Sequence, residues 1–148
     1  MGNSILIAMN DSVSSRAALN FFIRLVLCPD DCRITLLHVF RKPTSTEELM
    51  GKKFTEEQPT RLRSMLEKAK EKLVECGYNP GMIETLLVAE PYPTVADGIL
   101  DQCKKNDYDI VIIGRKRMTK AEEFVLGDVS VKLLRALERM AVLVVKAD

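Results

Sequence analysis

The sequence predicts an α/β domain: a doubly wound, five-stranded parallel sheet with helices on both faces. Three observations carry this prediction. Apolar runs alternate with segments of helical spacing, in the order β-α-β-α-β-α-β-α-β. Three of the runs are unbroken, as strands buried on both faces are. The intervening helices supply the right-handed crossovers that parallel pairing requires. The 148 residues suit one domain of ordinary size, so residues 1–148 are expected to form a single domain without linker or repeat.

Ile5 to Met9 is the first strand. Ala17, Ala18, Phe21, Phe22, Leu25 and Val26 then recur at helical spacing, behind Asp11, Ser12 and Ser14, whose oxygens suit an N-cap. Cys28-Pro29 is expected to end that helix, because proline disfavours helix in the residue before it. Ile34 to Phe40 is the second strand. Residues 41 to 55 are polar, contain Pro43 and Gly51, and read as a long loop. A charged helix begins near Thr55, with Leu62, Met65, Leu66, Ala69 and Leu73 on its apolar face and Gly77 as its stop. Met82 to Ala89 is the third strand, and Glu90-Pro91-Tyr92-Pro93 reads as a turn. Thr94 and Asp97 have capping-box spacing before a helix lined by Val95, Ala96, Ile99, Leu100 and Cys103. Asp109 to Gly114 is the fourth strand, and residues 115 to 126 read as a loop with a short helical turn near Glu122. Val129, Leu133, Leu134 and Leu137 mark the last helix, and Ala141 to Val145 the last strand.

Composition excludes several classes of function. Hydrophobic residues make up 47% and charged residues 29%, a balance that builds a soluble core rather than a disordered or coiled-coil chain. The net charge of +1 gives no footprint for a nucleic-acid coat. Apolar runs of about four to six residues fall far short of the roughly 20 that span a bilayer. The start of the chain has no basic region, long apolar stretch or cleavage site of an export signal, so a cytoplasmic location is expected. Cys28, Cys32, Cys76 and Cys103 form no Cys-x-x-Cys pair, and His38 alone cannot complete a zinc site. The cysteines read as reduced thiols packed as small apolar groups, with a Cys28–Cys32 redox pair the minor alternative.

In such sheets, ligands bind beyond the carboxyl ends of the strands, where the strand order reverses. Met9-Asn10-Asp11-Ser12 follows the first strand and is no dinucleotide fingerprint. The chain has no P-loop and no Gly-x-Ser-x-Gly elbow, and His38 lies early on the second strand, which argues against a hydrolase triad. A phosphorelay receiver would need a phosphoacceptor Asp ending the third strand, where Val88-Ala89-Glu90 stands. The informative stretch is Gly114-Arg115-Lys116-Arg117, then nine residues, then Gly127-Asp128-Val129-Ser130 opening a helix. Backbone N–H groups converge at a helix N-terminus and its dipole favours an anion, so a glycine-flanked loop there suits phosphate.

At these residues the sequence resembles the universal stress protein family over essentially its whole length. Ile5 to Ser12 with Ser15 and Ala18-Leu19, Leu36-Leu37-His38-Val39, Asp109 to Gly114, Leu126 to Ser130 and Ala141 to Val145 match the family's segments in order and spacing. The resemblance implies an adenine-nucleotide alpha-hydrolase-like fold of the UspA type. It also implies ATP or ADP, with Mg, at Ala8, Met9, Asn10, Val39, Ile113, Gly114, Arg117, Gly127, Asp128, Val129 and Ser130, and a homodimer through the last strand.

Two of the four positions in the family's Gly-x-x-Gly-(nine residues)-Gly-Ser/Thr frame are changed. Arg117 replaces the second glycine, Asp128 replaces the first hydroxyl residue, and Asn10 stands for the family's first-strand aspartate. Arg117 either closes the backbone approach to phosphate or binds phosphate through its guanidinium, beside Arg115, Lys116 and Lys120. Asp128 is a good N-cap, but its charge should cost about 1 to 3 kcal/mol of phosphate binding. Asn10 removes a charge and keeps an acceptor. Gly114 and Gly127 either contact nucleotide or serve as turns, and Val39 either lies against adenine or is core. The expected function is a stress-response regulatory module binding an adenine nucleotide with altered phosphate recognition. The alternative is a dimeric adaptor of the same fold that binds no ATP. No residue is a persuasive general base, so an enzyme, a slow ATPase, ranks last.

Overall fold

The computed structural model describes residues 3–10, 12–25, 29–41, 52–116, 119–121 and 129–147. In chain order these form β1 (Asn3–Ala8), α1 (Val13–Arg24), β2 (Cys32–Arg41), α2 (Lys52–Glu75), β3 (Ile83–Tyr92), α3 (Val95–Lys105), β4 (Ile110–Lys116), α4 (Val129–Ala136) and β5 (Ala141–Ala147). All strands are parallel, in the order β3-β2-β1-β4-β5. The doubly wound fold predicted from the apolar alternation is thus the observed one.

Side chains alternate between the two faces of a strand, so one buried strand feeds two cores. Ile5, Ile7, Ile34, Leu36 and Ile112 pack under α1 and α2 with Phe22, Leu66 and Leu73. Leu6, Leu37, Val39, Val111 and Ile113 pack on the other face against Ile99 of α3 and Leu133 of α4. Asp109 ties the strand starts together: its amide donates to the Ser4 carbonyl (2.7 Å), its carboxylate accepts from the Ser4 amide (2.7 Å), and its carbonyl accepts from the Ala141 amide (2.9 Å).

The predicted caps are observed. Ser12 Oγ accepts from the Ser15 amide at 3.2 Å and opens α1. Thr94 and Asp97 exchange the two bonds of a capping box, at 3.1 and 3.2 Å. Gly77 ends α2 at φ 100°, where its amide reaches the Val74 carbonyl and that of Tyr78 reaches the Leu73 carbonyl, both at 3.1 Å.

Several boundaries differ from those read in the sequence. Helix α1 ends at Arg24 with Leu25 as its cap, ahead of the expected stop at Cys28-Pro29; residues 26–28 lie outside the described set. Helix α2 starts at Lys52, within the expected loop, and contains Pro59. Glu90, Pro91 and Tyr92 continue β3 rather than turning, because Arg41 pairs with Tyr92 beyond an irregularity in the register. β3 is an edge strand, where proline's missing N–H is tolerated. Arg115 and Lys116 are strand residues paired with Lys146 and Ala147 of β5, not loop. The turn expected near Glu122 lies outside the described residues. Cys32 is buried and Cys103 half-buried, as expected of packed thiols, whereas Cys76 is exposed; Cys28 is outside the described set. Burial pushes the Cys103 thiol up to about 11. Among the described residues no helix is long and apolar enough to cross a membrane.

Candidate functional site

The sheet order reverses at β1, which pairs with β2 on one side and β4 on the other. A crevice opens there at the carboxyl ends of the strands. It holds a cavity of about 130 Å³ lined by Ala8, Met9, Asn10, Val39, Ile113, Gly114 and Val129 from the sequence-predicted set. Ser130 is buried in the first turn of α4 and is not a lining residue. Arg117, Gly127 and Asp128 lie outside the described residues.

The bend after β1 is held by a small polar network. The Asn10 amide donates to Ser15 Oγ (3.0 Å), and Ser12 Oγ donates to Asn10 Oδ1. The acceptor that replaces the family's aspartate is therefore already engaged within the chain. Ser12 and Ser14 hydroxyls lie 3.1 Å apart. Ser12 is the cap of α1, and Ser14 and Ser15 lie in its first turn.

Gly114 is a strand residue, not a turn. A Cβ on it would lie 2.1 Å from the Ser14 carbonyl oxygen and 2.9 Å from the Ser15 amide nitrogen. Its bare backbone lets the first turn of α1 sit directly on β4, which fixes one wall of the cavity. Val39 is 4% exposed and belongs to the core, yet one edge of it lines the cavity. Helix α3 rests on it through Gly98, where a Cβ would meet Val39 Cγ1 at 2.2 Å.

Further lining residues not in the predicted set are Ser15, Leu37, His38, Val95 and Ile99. His38 is the seventh of ten residues in β2, near the carboxyl end rather than early in the strand. Its Nδ1 donates to the Met9 carbonyl at 2.7 Å, because a carbonyl can only accept. Burial holds the imidazole below its usual range, and the Met9 bond partly opposes that shift. The neutral ring therefore carries its proton on Nδ1. The signal for Val95 was present in the sequence: a helix that starts directly after a strand places its first turn at the strand's carboxyl end.

Tyr92 and Asp101 lie on the α3 flank of this end of the sheet. The Tyr92 hydroxyl donates to Asp101 Oδ2 at 2.5 Å, and Lys105 Nζ lies 3.1 Å from the same oxygen. The Tyr92 bond first, and Lys105 second, hold the Asp101 carboxyl below its ordinary range. Among the described residues no group of three His, Cys, Asp or Glu side chains is placed to hold a metal ion. The site can enclose a flat apolar group and offer it a few polar contacts. Among the described lining residues no nucleophile–base hydrogen bond is seen.

Comparison with known proteins agrees with the fold. The model of the Universal stress protein family matches residues 1–146. No curated protein matches the sequence. A universal stress protein family protein from Arabidopsis thaliana, solved with AMP bound, is 19% identical at a TM-score of 0.68, covering 99% of this chain and 92% of that one. A universal stress protein in complex with cAMP is 13% identical at a TM-score of 0.67, with 97% and 96% covered. The universal stress protein UspA from Lactobacillus plantarum is 13% identical at a TM-score of 0.69, with 97% of each chain covered.

Proposed function

Given that this chain belongs to the universal stress protein family, which its match over residues 1–146 shows, we propose that it is a stress-response regulatory module whose ligand is an adenine nucleotide. The observation that carries the reading is the strand-end cavity, with apolar Val39, Ile113 and Val129 in its walls and Asn10 and Ser15 at its edge. Apolar walls with a few polar groups suit a purine. AMP in the Arabidopsis relative and cAMP in another support an adenine nucleotide here. The described cavity, about 130 Å³, is below the roughly 300 to 1,000 Å³ of complete ligand pockets and matches a single ring system.

The described cavity therefore suits the base, and phosphate falls to the segment from Gly114 to Ser130. Asp128 stands where the family's hydroxyl would meet phosphate, and its charge opposes ATP or ADP. Arg117, Lys116 and Lys120 offset part of that repulsion, at about 1 kcal/mol or less each if exposed. The balance favours a ligand with few phosphates, AMP over ATP. The module binds rather than turns over its ligand, and it acts in the cytoplasm.

The test is to denature the purified protein, look for released nucleotide, and titrate the apo form with AMP and with ATP-Mg. Saturable AMP binding is expected. Asp128→Ser should tighten ATP at least about fivefold, the lower end of a 1 to 3 kcal/mol change. Absence of binding to either nucleotide rejects the reading.

A second reading, a dimeric adaptor that binds no ATP, is favoured by β5. This edge strand is paired by β4 on one side, and Val142 to Val145 are only half-buried. A second copy pairing along it would cover them.

A further inference from the structure

We propose that the outer edge of β3 is an interface for a second copy of this chain, joined strand to strand about a two-fold axis. β3 stands at one end of the sheet order, and among the described residues β2 alone pairs with it. An edge strand presents a row of unpaired N–H and C=O groups, which charge or proline commonly blunts. Here both devices stand at the ends only. Glu84 precedes the run Thr85-Leu86-Leu87-Val88-Ala89, and Glu90-Pro91 follows it. The run itself holds no charge and no proline, and its Leu86, Leu87 and Val88 are only half-buried.

What this edge fits is set by the helix beside it. Helix α2 lies against both β2 and β3. A groove of about 340 Å³ runs between the helix and the edge strand, lined by Arg63, Leu66, Glu67, Thr85 and Leu87. Thr85 Oγ1 donates to Glu67 Oε1 at 3.2 Å, which sets that carboxylate level with Thr85. The crossover runs α2 antiparallel to β3. Arg63, about 6 Å before Glu67 along the helix, is therefore level with Leu87, about 6.6 Å after Thr85 along the strand. The groove thus has a cation at one end and a carboxylate at the other, an order that is complementary to its own reverse. A two-fold axis through Leu86, normal to the sheet, sets Thr85 opposite the second copy's Leu87. The same rotation sets Arg63 of each copy level with Glu67 of the other, so the charge match is made twice. Glu84 falls opposite Val88, so no acid on the strand faces another. Pro91 falls beyond the start of the second copy's strand at Ile83, where its missing N–H costs nothing. Paired strands stand about 4.8 Å apart, so the two α2 helices, each above its own β2–β3 line, come to about 10 Å, the spacing of packed helices.

Exposed ion pairs add little, so the contact is expected at hundreds of micromolar rather than at micromolar concentration. The experiment follows self-association of Val144→Lys, which sets a charge on the other edge strand, β5, by sedimentation and by amide hydrogen exchange across that range. A dimer is expected at the high end, with amides among Thr85 to Val88 exchanging more slowly than in the dilute chain. In this background Arg63→Glu should weaken the dimer about tenfold or more, because the rotation applies the change at both ends of the contact. Adding Glu67→Arg should restore it, which a role confined to one chain does not predict. Circular dichroism melts confirm that each variant folds. If Val144→Lys fails to fold, the same series in the wild type reads assembly beyond the β5 dimer. Monomer at every concentration overturns the proposal, whether the edge then takes another protein's strand or stays open. A dimer whose β3 amides exchange as in the dilute chain, or one indifferent to Arg63→Glu, also overturns it.

Discussion

His38 shows how one residue can be read by motif yet understood only by contact. Within Leu36-Leu37-His38-Val39 it marks the second strand, and its role follows from its bond to the Met9 carbonyl at 2.7 Å. That bond pins the bend after β1, where Asn10 and Ser15 begin the site. Burial lowers the folded pKa below the ordinary 6.5, while the unfolded chain keeps it. The folded state therefore resists protonation, so this contribution to stability is complete above 6.5 and is lost as pH falls through the folded value. The urea midpoint of the wild type should drop on acidification across 6.5 by more than that of His38→Gln, whose amide can still donate to Met9. Equal slopes for the two proteins would show that the imidazole is not held neutral. Which residues share the site was partly legible, because Ala8, Met9, Asn10, Val39, Ile113, Gly114 and Val129 fall where the strand ends put them. His38 and Leu37 were hidden by their own plausibility as core, since a strand residue near the end of a buried run does both.

The elements were legible because period and punctuation agreed. Apolar runs gave the strands, Thr94–Asp97 gave the start of α3, and Gly77 gave the end of α2. The errors fall where tertiary pairing overrides local signals. Pro91 and Pro93 mark a turn by composition, yet the pairing of Arg41 with Tyr92 carries β3 through Pro91. Arg115 and Lys116 look like loop by charge, but β5 is long enough to pair them. Two residues of the basic cluster therefore stand on a rigid strand. Gly114 belongs to this scale as well, because its lack of a side chain joins two elements. A Cβ there would lie 2.1 Å from backbone oxygen rather than from a flexible side chain, so relief requires moving α1. Gly114→Ala should destabilise the fold by about 1 to 3 kcal/mol in urea titration and loosen nucleotide binding together with it. A variant as stable as the wild type would show that α1 does not rest on this strand.

At the scale of the whole molecule, the net charge of +1 averages over an uneven surface. Cations line the α1–α2 groove, while β5 presents an apolar strand at one edge of the sheet. A half-buried strand of Ala141-Val142-Leu143-Val144-Val145 with one side unpaired by any described strand is a template for association unless it is covered. The shallow surface beside it continues the apolar character, through Ala17 and Phe21 of α1, with Arg24 stacked over the Phe21 ring at 5.6 Å. Pairing of β5 with its copy about a two-fold axis would close both edges at once, because an isologous contact uses the same patch on each subunit. We therefore expect a dimer in sedimentation at micromolar concentration. Val144→Lys, which puts a charge on the strand that each copy would pair, should shift it towards monomer while the melt stays cooperative. A wild-type chain that sediments only as monomer under these conditions would mean that β5 is tolerated as an open edge, and the adaptor reading would lose the observation that favours it.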